Sequence, residues 1–174
     1  MIRTLAFGSA ILSLLILAGL TVAGGLVYPD YNHLTQYISE LGATGAVTGP
    51  AVRPAFVASG ILLTLFWLLC IGLFPRSLLA TAGFGLSSLN GLGLLLGGVF
   101  PCAFECSLAD PPLYAILHDV FSGIGYLAGI AGVCLIALAA RRWPRDRVLY
   151  PLGLACGIPA AAAVWLLHPG FEWY

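Results

Sequence analysis

Lysine is absent from this 174-residue sequence, and charge of either sign is scarce: Asp and Glu number seven, all seven basic residues are arginines, and together they make up 8% of the chain. Soluble domains carry about a quarter of their residues as charged side chains. A solvent-covered globular domain is therefore excluded. The formal net charge of zero gives no support for nucleic-acid binding. Short alternating apolar segments, the mark of a membrane β-barrel, are missing as well. Histidine is limited to three residues, none of them four apart from another.

What remains is hydrocarbon. Hydrophobic residues reach 60%, and the mean hydropathy is +1.01. Unbroken apolar runs cover residues 4–28, 54–74, 78–100, 113–140 and 148–168. Each is long enough for a bilayer core, which takes about 20 helical residues. Backbone amides in lipid must be paired within their own segment, so the runs predict helices. The expected fold is all-α: a polytopic transmembrane bundle of five spans, one domain over residues 1–174. Thr21-Val22-Ala23 looks like a signal cleavage site, but the apolar stretch before it is too long, and the segment is expected to be retained.

Arginine sets the expected orientation. Arg3, Arg76, Arg141, Arg142, Arg145 and Arg147 fall at one end of the spans, and Arg53 alone falls at the other. The positive-inside bias puts the N-terminus in the cytoplasm and the C-terminus outside. Asp30, Glu40, Glu105, Asp110 and Glu172 lie outside in that arrangement, and Asp146 inside. A bacterial inner membrane is the expected location.

Cysteine divides the same way. Cys70, Cys134 and Cys156 fall within spans, where a thiol behaves as a small apolar residue. Cys102 and Cys106 share an outer loop, and their spacing permits either a small disulfide-closed ring or half of a zinc site. Gly93 and Gly97, Gly125 and Gly129, and Gly153 and Gly157 each place two glycines on one helix face, which suits close helix packing or a groove for a lipid tail. Pro151 and Pro159 are expected to kink the last span or free carbonyls there.

The polar side chains gather in residues 28–50. Leu34, Tyr37, Ile38 and Leu41 recur at helical spacing, with His33, Gln36 and Glu40 on the neighbouring face. Asp30 or Asn32 can cap the start, and Gly42 can end it. The pattern predicts an amphipathic helix over about 31–41, lying at the outer membrane surface. His118 and Asp119 lie roughly 8 Å inside the fourth span, and Asn90 about 15 Å inside the third. Intramembrane ionisable groups are costly, which makes Asp119 a functional candidate. His33, Ser39, Glu40, His118 and Asp119 are the candidate catalytic residues. Asp30, Asn32, Gln36 and Asn90 are expected to line a shared outer pocket. No cofactor is called for by a complete motif; zinc, held by His33, His118, His168 and Asp119, is the one candidate.

Asn32-His33, Ile38-Ser39-Glu40-Leu41-Gly42, Phe100-Pro101-Cys102 and His118-Asp119 resemble a bacterial and archaeal family of multi-pass membrane proteins classified as a domain of unknown function. The resemblance covers essentially the whole chain, and Ile-Ser-Glu-Leu-Gly is its most specific element. It implies about six spans with a closing helix, whereas five are read here. Phe171, Trp173 and Tyr174 form an aromatic cluster of the kind that precedes a further span, so either a closing helix follows or this member is shorter. The resemblance implies no reaction.

Two kinds of function fit. One is a non-catalytic protein that binds membrane lipids or serves as an accessory subunit beside other membrane-protein subunits, with Tyr28, Tyr31, Tyr37, Trp173 and Tyr174 as interfacial anchors. The other is an outer-leaflet lipid hydrolase or transferase, metal-assisted in one form. Asp30 to Glu40 loosely looks like the acidic first segment of alkaline-ceramidase-type zinc hydrolases, but the closing histidine pair of those enzymes is absent. A channel or transporter is disfavoured, because no span carries a row of polar residues and no repeat is evident. The incomplete catalytic set favours the first kind.

Overall fold

The computed structural model describes residues 1–107 and 109–166. Its described residues form five α-helices without a strand: α1 (Ile2–Val27), α2 (Gly49–Leu73), α3 (Leu78–Val99), α4 (Leu113–Ala140) and α5 (Leu149–Leu166). The first four are long and apolar enough to cross a membrane, and α5 is a shorter apolar helix over Leu149–Val164. The last two residues of the expected fifth span lie outside the described residues.

Proline punctuates the chain. A residue before proline is pushed out of the helical region by the pyrrolidine ring. Tyr28, Phe74 and Phe100 precede Pro29, Pro75 and Pro101, and all three adopt extended backbone that closes α1, α2 and α3. Ser77 caps the next start, its hydroxyl accepting from the Ala80 N–H at 3.1 Å. The second span was expected from Pro54; instead α2 begins at Gly49. Pro50 sits in its first turn, where a missing N–H costs nothing, and Pro54 is carried inside the helix. Pro159 is similarly carried inside α5.

Each helix packs on the next in sequence, antiparallel. Ser13 meets Ser59 through a hydroxyl-to-carbonyl bond of 2.9 Å, and Gly24 meets Leu41 and Val52. Down the later seams, Gly93 faces Gly125, Gly153 faces Ala137 and Gly157 faces Cys134. The glycine pairs foreseen in α3, α4 and α5 are thus packing faces. Gly60 against Gly91 and Gly83 against Gly132 add two crossings that the regular spacing did not single out. At the end bearing Arg76 and Arg141, Trp67, Phe74, Phe84 and Trp143 pile against Cys70 and Ile136.

The expected helix over 31–41 is replaced by turns followed by a short 3-10 helix, Ile38–Gly42. Side chains capture the backbone groups that a helix would have used. Asn32 Oδ1 accepts from the Leu34 N–H (2.8 Å), and Gln36 Oε1 accepts from the Asn32 N–H (2.8 Å). Such local bonds compete with helix formation. The apolar stripe is broken in consequence: Leu34 is 94% exposed while Leu41 is wholly buried.

A methyl group on Gly93 would lie 2.8 Å from the Gly125 Cα, while one on Gly85 meets nothing within 4 Å. Gly93→Ala is expected to cost about 1–3 kcal/mol through overpacking and to lower the thermal midpoint in detergent. Gly85→Ala should leave that midpoint unchanged or raise it. Equal behaviour of the two variants would refute this helix pairing.

Candidate functional site

The segment from Tyr28 to Thr48 closes one end of the bundle, and few ionisable groups hold it. Glu40 is buried, and both its oxygens are occupied. Oε1 accepts from the Tyr37 N–H (2.9 Å) and Oε2 from Gln36 Nε2 (2.7 Å). Leu41 packs against Val52, Phe56 and Gly24. Arg53 reaches back from α2, Nε donating to the Gly42 carbonyl and Nη2 to the Ala43 carbonyl, both at 2.7 Å. Thr48 Oγ1 donates to the Leu41 carbonyl (2.6 Å). Glu40, Leu41 and Gly42 of Ile-Ser-Glu-Leu-Gly are therefore tied into the closure, and Ile38 packs on the Leu41 cluster.

A disulfide joins Cys102 to Cys106, with Cα atoms 5.0 Å apart. A disulfide sulfur only accepts, so the Ser39 hydroxyl donates to Cys106 Sγ (3.4 Å). Thr44 donates twice to the Cys102 carbonyl, from its N–H (3.0 Å) and its hydroxyl (3.1 Å). Ala43, Ala46 and Cys102 form the small apolar cluster between the two loops. Tyr31 stands edge-on to Tyr28 and His33. Burial, and then the negative charge of Glu40, push its phenol above the ordinary value of 10.0.

His118 does structural work at the end of α3. The carbonyl of Gly97 would take its helical bond from residue 101, but Pro101 has no N–H to give. His118 Nδ1 lies 3.1 Å from that carbonyl and 2.7 Å from the carbonyl of Phe100. Carbonyls only accept, so Nδ1 carries a proton; in the neutral ring this selects the Nδ1–H tautomer, with Nε2 as the acceptor.

Beneath the closure lies a cavity of about 460 Å³. It sits in front of α2 and α3, between α1 and α4, which make no substantial contact with one another. Residues 33–39 roof it. Leu17, Phe56, Leu63 and Leu94 supply apolar walls, and Asn90, Gly93, Gly97, His118, Ser122 and Tyr126 complete it. His118, Ser122 and Tyr126 follow one another at intervals of four along α4. Asn90 Nδ2 donates to the Gly125 carbonyl (3.3 Å), so it also bridges α3 to α4.

Of the candidate residues, His33, Gln36, Ser39, Asn90 and His118 line this one cavity. Asp30, Asn32, Glu40 and Asp119 do not. Asp30 takes a left-handed turn conformation (φ 56°) after α1, and Asn32 spends its side chain on the local turn. Asp119 follows His118 by one residue, which rotates it about 100° around the helix, and it is exposed on the outside of the bundle. His168 lies outside the described residues. Among the described residues no three His, Cys, Asp or Glu side chains come together as a metal site. Ser122 and Tyr126 escaped the sequence reading, although their four-residue spacing from His118 was a usable signal.

The family described as "Protein of unknown function (DUF998)" matches residues 11–174. The chain belongs to this family. No curated protein and no solved structure matches the chain. DUF998 membership agrees with an integral membrane protein of several apolar helices, and the Ile-Ser-Glu-Leu-Gly element of this DUF998 chain has the closing role described above.

Replacing Arg53 strands the Gly42 carbonyl and leaves the Ala43 carbonyl with the Ala46 N–H alone. Arg53→Leu is expected to lose about 1–3 kcal/mol, the cost of an unpaired buried acceptor. Amide hydrogen exchange should accelerate at residues 40–46 and not in the middle of α3. Unchanged exchange at 40–46 would contradict the role given to Arg53.

Proposed function

We propose that this protein holds a membrane lipid in the cavity beneath residues 33–39, on the extracytoplasmic side of a bacterial inner membrane. Its role is non-catalytic: lipid binding, as an accessory component of a membrane assembly. The carrying observation is the cavity itself, about 460 Å³ and within the size range of small-ligand sites. Polar groups gather under its roof, and leucine and phenylalanine line the walls below. The gap between α1 and α4 offers a lipid sideways access from the bilayer. The arginine-rich end of the bundle is the opposite one, which supports the sidedness.

The accessory role draws on the outer face of α4. Asp119 is exposed there, and Gly123, four residues on, has nothing within 4 Å of its Cβ position. A carboxylate at that depth favours a polar partner over hydrocarbon. The hydrolase alternative is less well served. Glu40 has both oxygens engaged, and Asp119 points away from His118, so no carboxylate assists the imidazole among the described residues.

Ser122→Leu adds bulk inside the cavity and should reduce, several-fold, the lipid that accompanies the purified protein, measured by mass spectrometry after extraction. Ile124→Ala, on the exposed side of α4, should not. Equal lipid content in both variants would overturn the proposal.

A further inference from the structure

The chemistry at the roof of the cavity selects among lipids. His118 is 94% buried (6% relative exposure), and its Nδ1 proton is committed to the Gly97 and Phe100 carbonyls. In the neutral ring its Nε2 offers a lone pair, and no described residue donates a hydrogen bond to it. Ser122 lies near the ring's Cε1–Nδ1 edge: a Cβ built on Gly97 would lie 3.1 Å from Ser122 Oγ, 3.5 Å from His118 Cε1 and 3.7 Å from Nδ1. Both residues line the cavity.

Permanently charged side chains are missing from the lining. No arginine, aspartate or glutamate borders the cavity among the described residues, and His33 and His118 are its two imidazoles. The two charged groups of the closure are consumed elsewhere, Arg53 by carbonyls and Glu40 by Gln36 and Tyr37. A phosphate or carboxylate headgroup would lose its hydration without gaining an arginine, and would face the Nε2 lone pair of the neutral ring. A quaternary ammonium group would find no carboxylate and would have no proton to give Nε2. A hydroxyl can donate to Nε2 and needs no counter-charge.

We infer that the bound lipid is uncharged and presents a hydroxyl to His118 Nε2, as a mono- or diacylglycerol or a long-chain alcohol does. This rests on the lipid-binding proposal above and adds the class of headgroup. His118 is then both the clasp of the α3 terminus and the residue that sets headgroup specificity.

The test compares three probes on the full chain in neutral detergent: 1-oleoylglycerol, its dimethyl ether, and oleoyl lysophosphatidate. The hydroxyl probe should bind about 3- to 10-fold more tightly than the ether, the span of one net hydrogen bond, and lysophosphatidate should bind least. In ¹⁵N-histidine spectra of the wild-type protein, the Nε2 resonance of His118 should move toward a hydrogen-bonded value with the hydroxyl probe and not with the ether. His118→Gln, which serves to assign that resonance, should lose the preference for hydroxyl over ether. Equal binding of hydroxyl and ether overturns the headgroup assignment, and so does tighter binding of lysophosphatidate. The probe series needs no variant to fold. Failure of all three probes to bind would instead remove the lipid-binding proposal on which the assignment rests.

Discussion

Pro101 ends α3 and leaves the Gly97 carbonyl without its helical donor at a depth where water is scarce. An unpaired buried acceptor costs about 1–3 kcal/mol, and the helix end cannot be rebuilt with a proline in place. His118 meets this constraint from the neighbouring helix, covering the Gly97 and Phe100 carbonyls with one N–H. The seam between α3 and α4 is thereby fixed at its loop end, where Gly93 and Gly125 already bring the backbones together. The disulfide loop starts from the same place, so the position of Cys102, and through it Thr44, follows from that clasp. One proton on one ring nitrogen links the bundle, the loop and the roof.

The same logic runs through the closure. Irregular backbone at the end of a membrane bundle is tolerated only where its polar groups find partners, and this chain has very few charged side chains to offer. Arg53 serves the Gly42 and Ala43 carbonyls, Glu40 serves the Tyr37 N–H, and Thr48 serves the Leu41 carbonyl. Residues of a kind often found in catalysis are thus committed to holding the roof in place. Below the roof the four longest helices leave a space with apolar walls and, among the described residues, no arginine, aspartate or glutamate in its lining. The proposed uncharged amphiphile suits such a space.

Much of the architecture was legible in the residues. Long apolar runs can only be helices in lipid, and the runs ending at residues 28, 74 and 100 stop within a residue of the ends of α1, α2 and α3. The glycine pairs named three packing faces, and the Cys102–Cys106 spacing allowed the disulfide that is present. The segment 31–41 was misread because its period is helical. Periodicity carries no information about side chains that bond to their own backbone, as Asn32 and Gln36 do. Asp119 looked inseparable from His118 in sequence, but adjacent helical residues diverge by about 100°, and the bundle lies on the His118 side. Ser122 and Tyr126 follow His118 at four-residue intervals, and the packing of α3 against α4 turns that shared face toward the cavity.

The most direct measurement is a high-resolution structure of the protein in a native-lipid nanodisc. Elongated density should run from the gap between α1 and α4 to the roof at residues 33–39, with a polar atom within hydrogen-bonding distance of His118 Nε2. A cavity closed by inward movement of α1, or one holding only isolated waters with Nε2 bonded to the protein itself, would contradict lipid binding at this site.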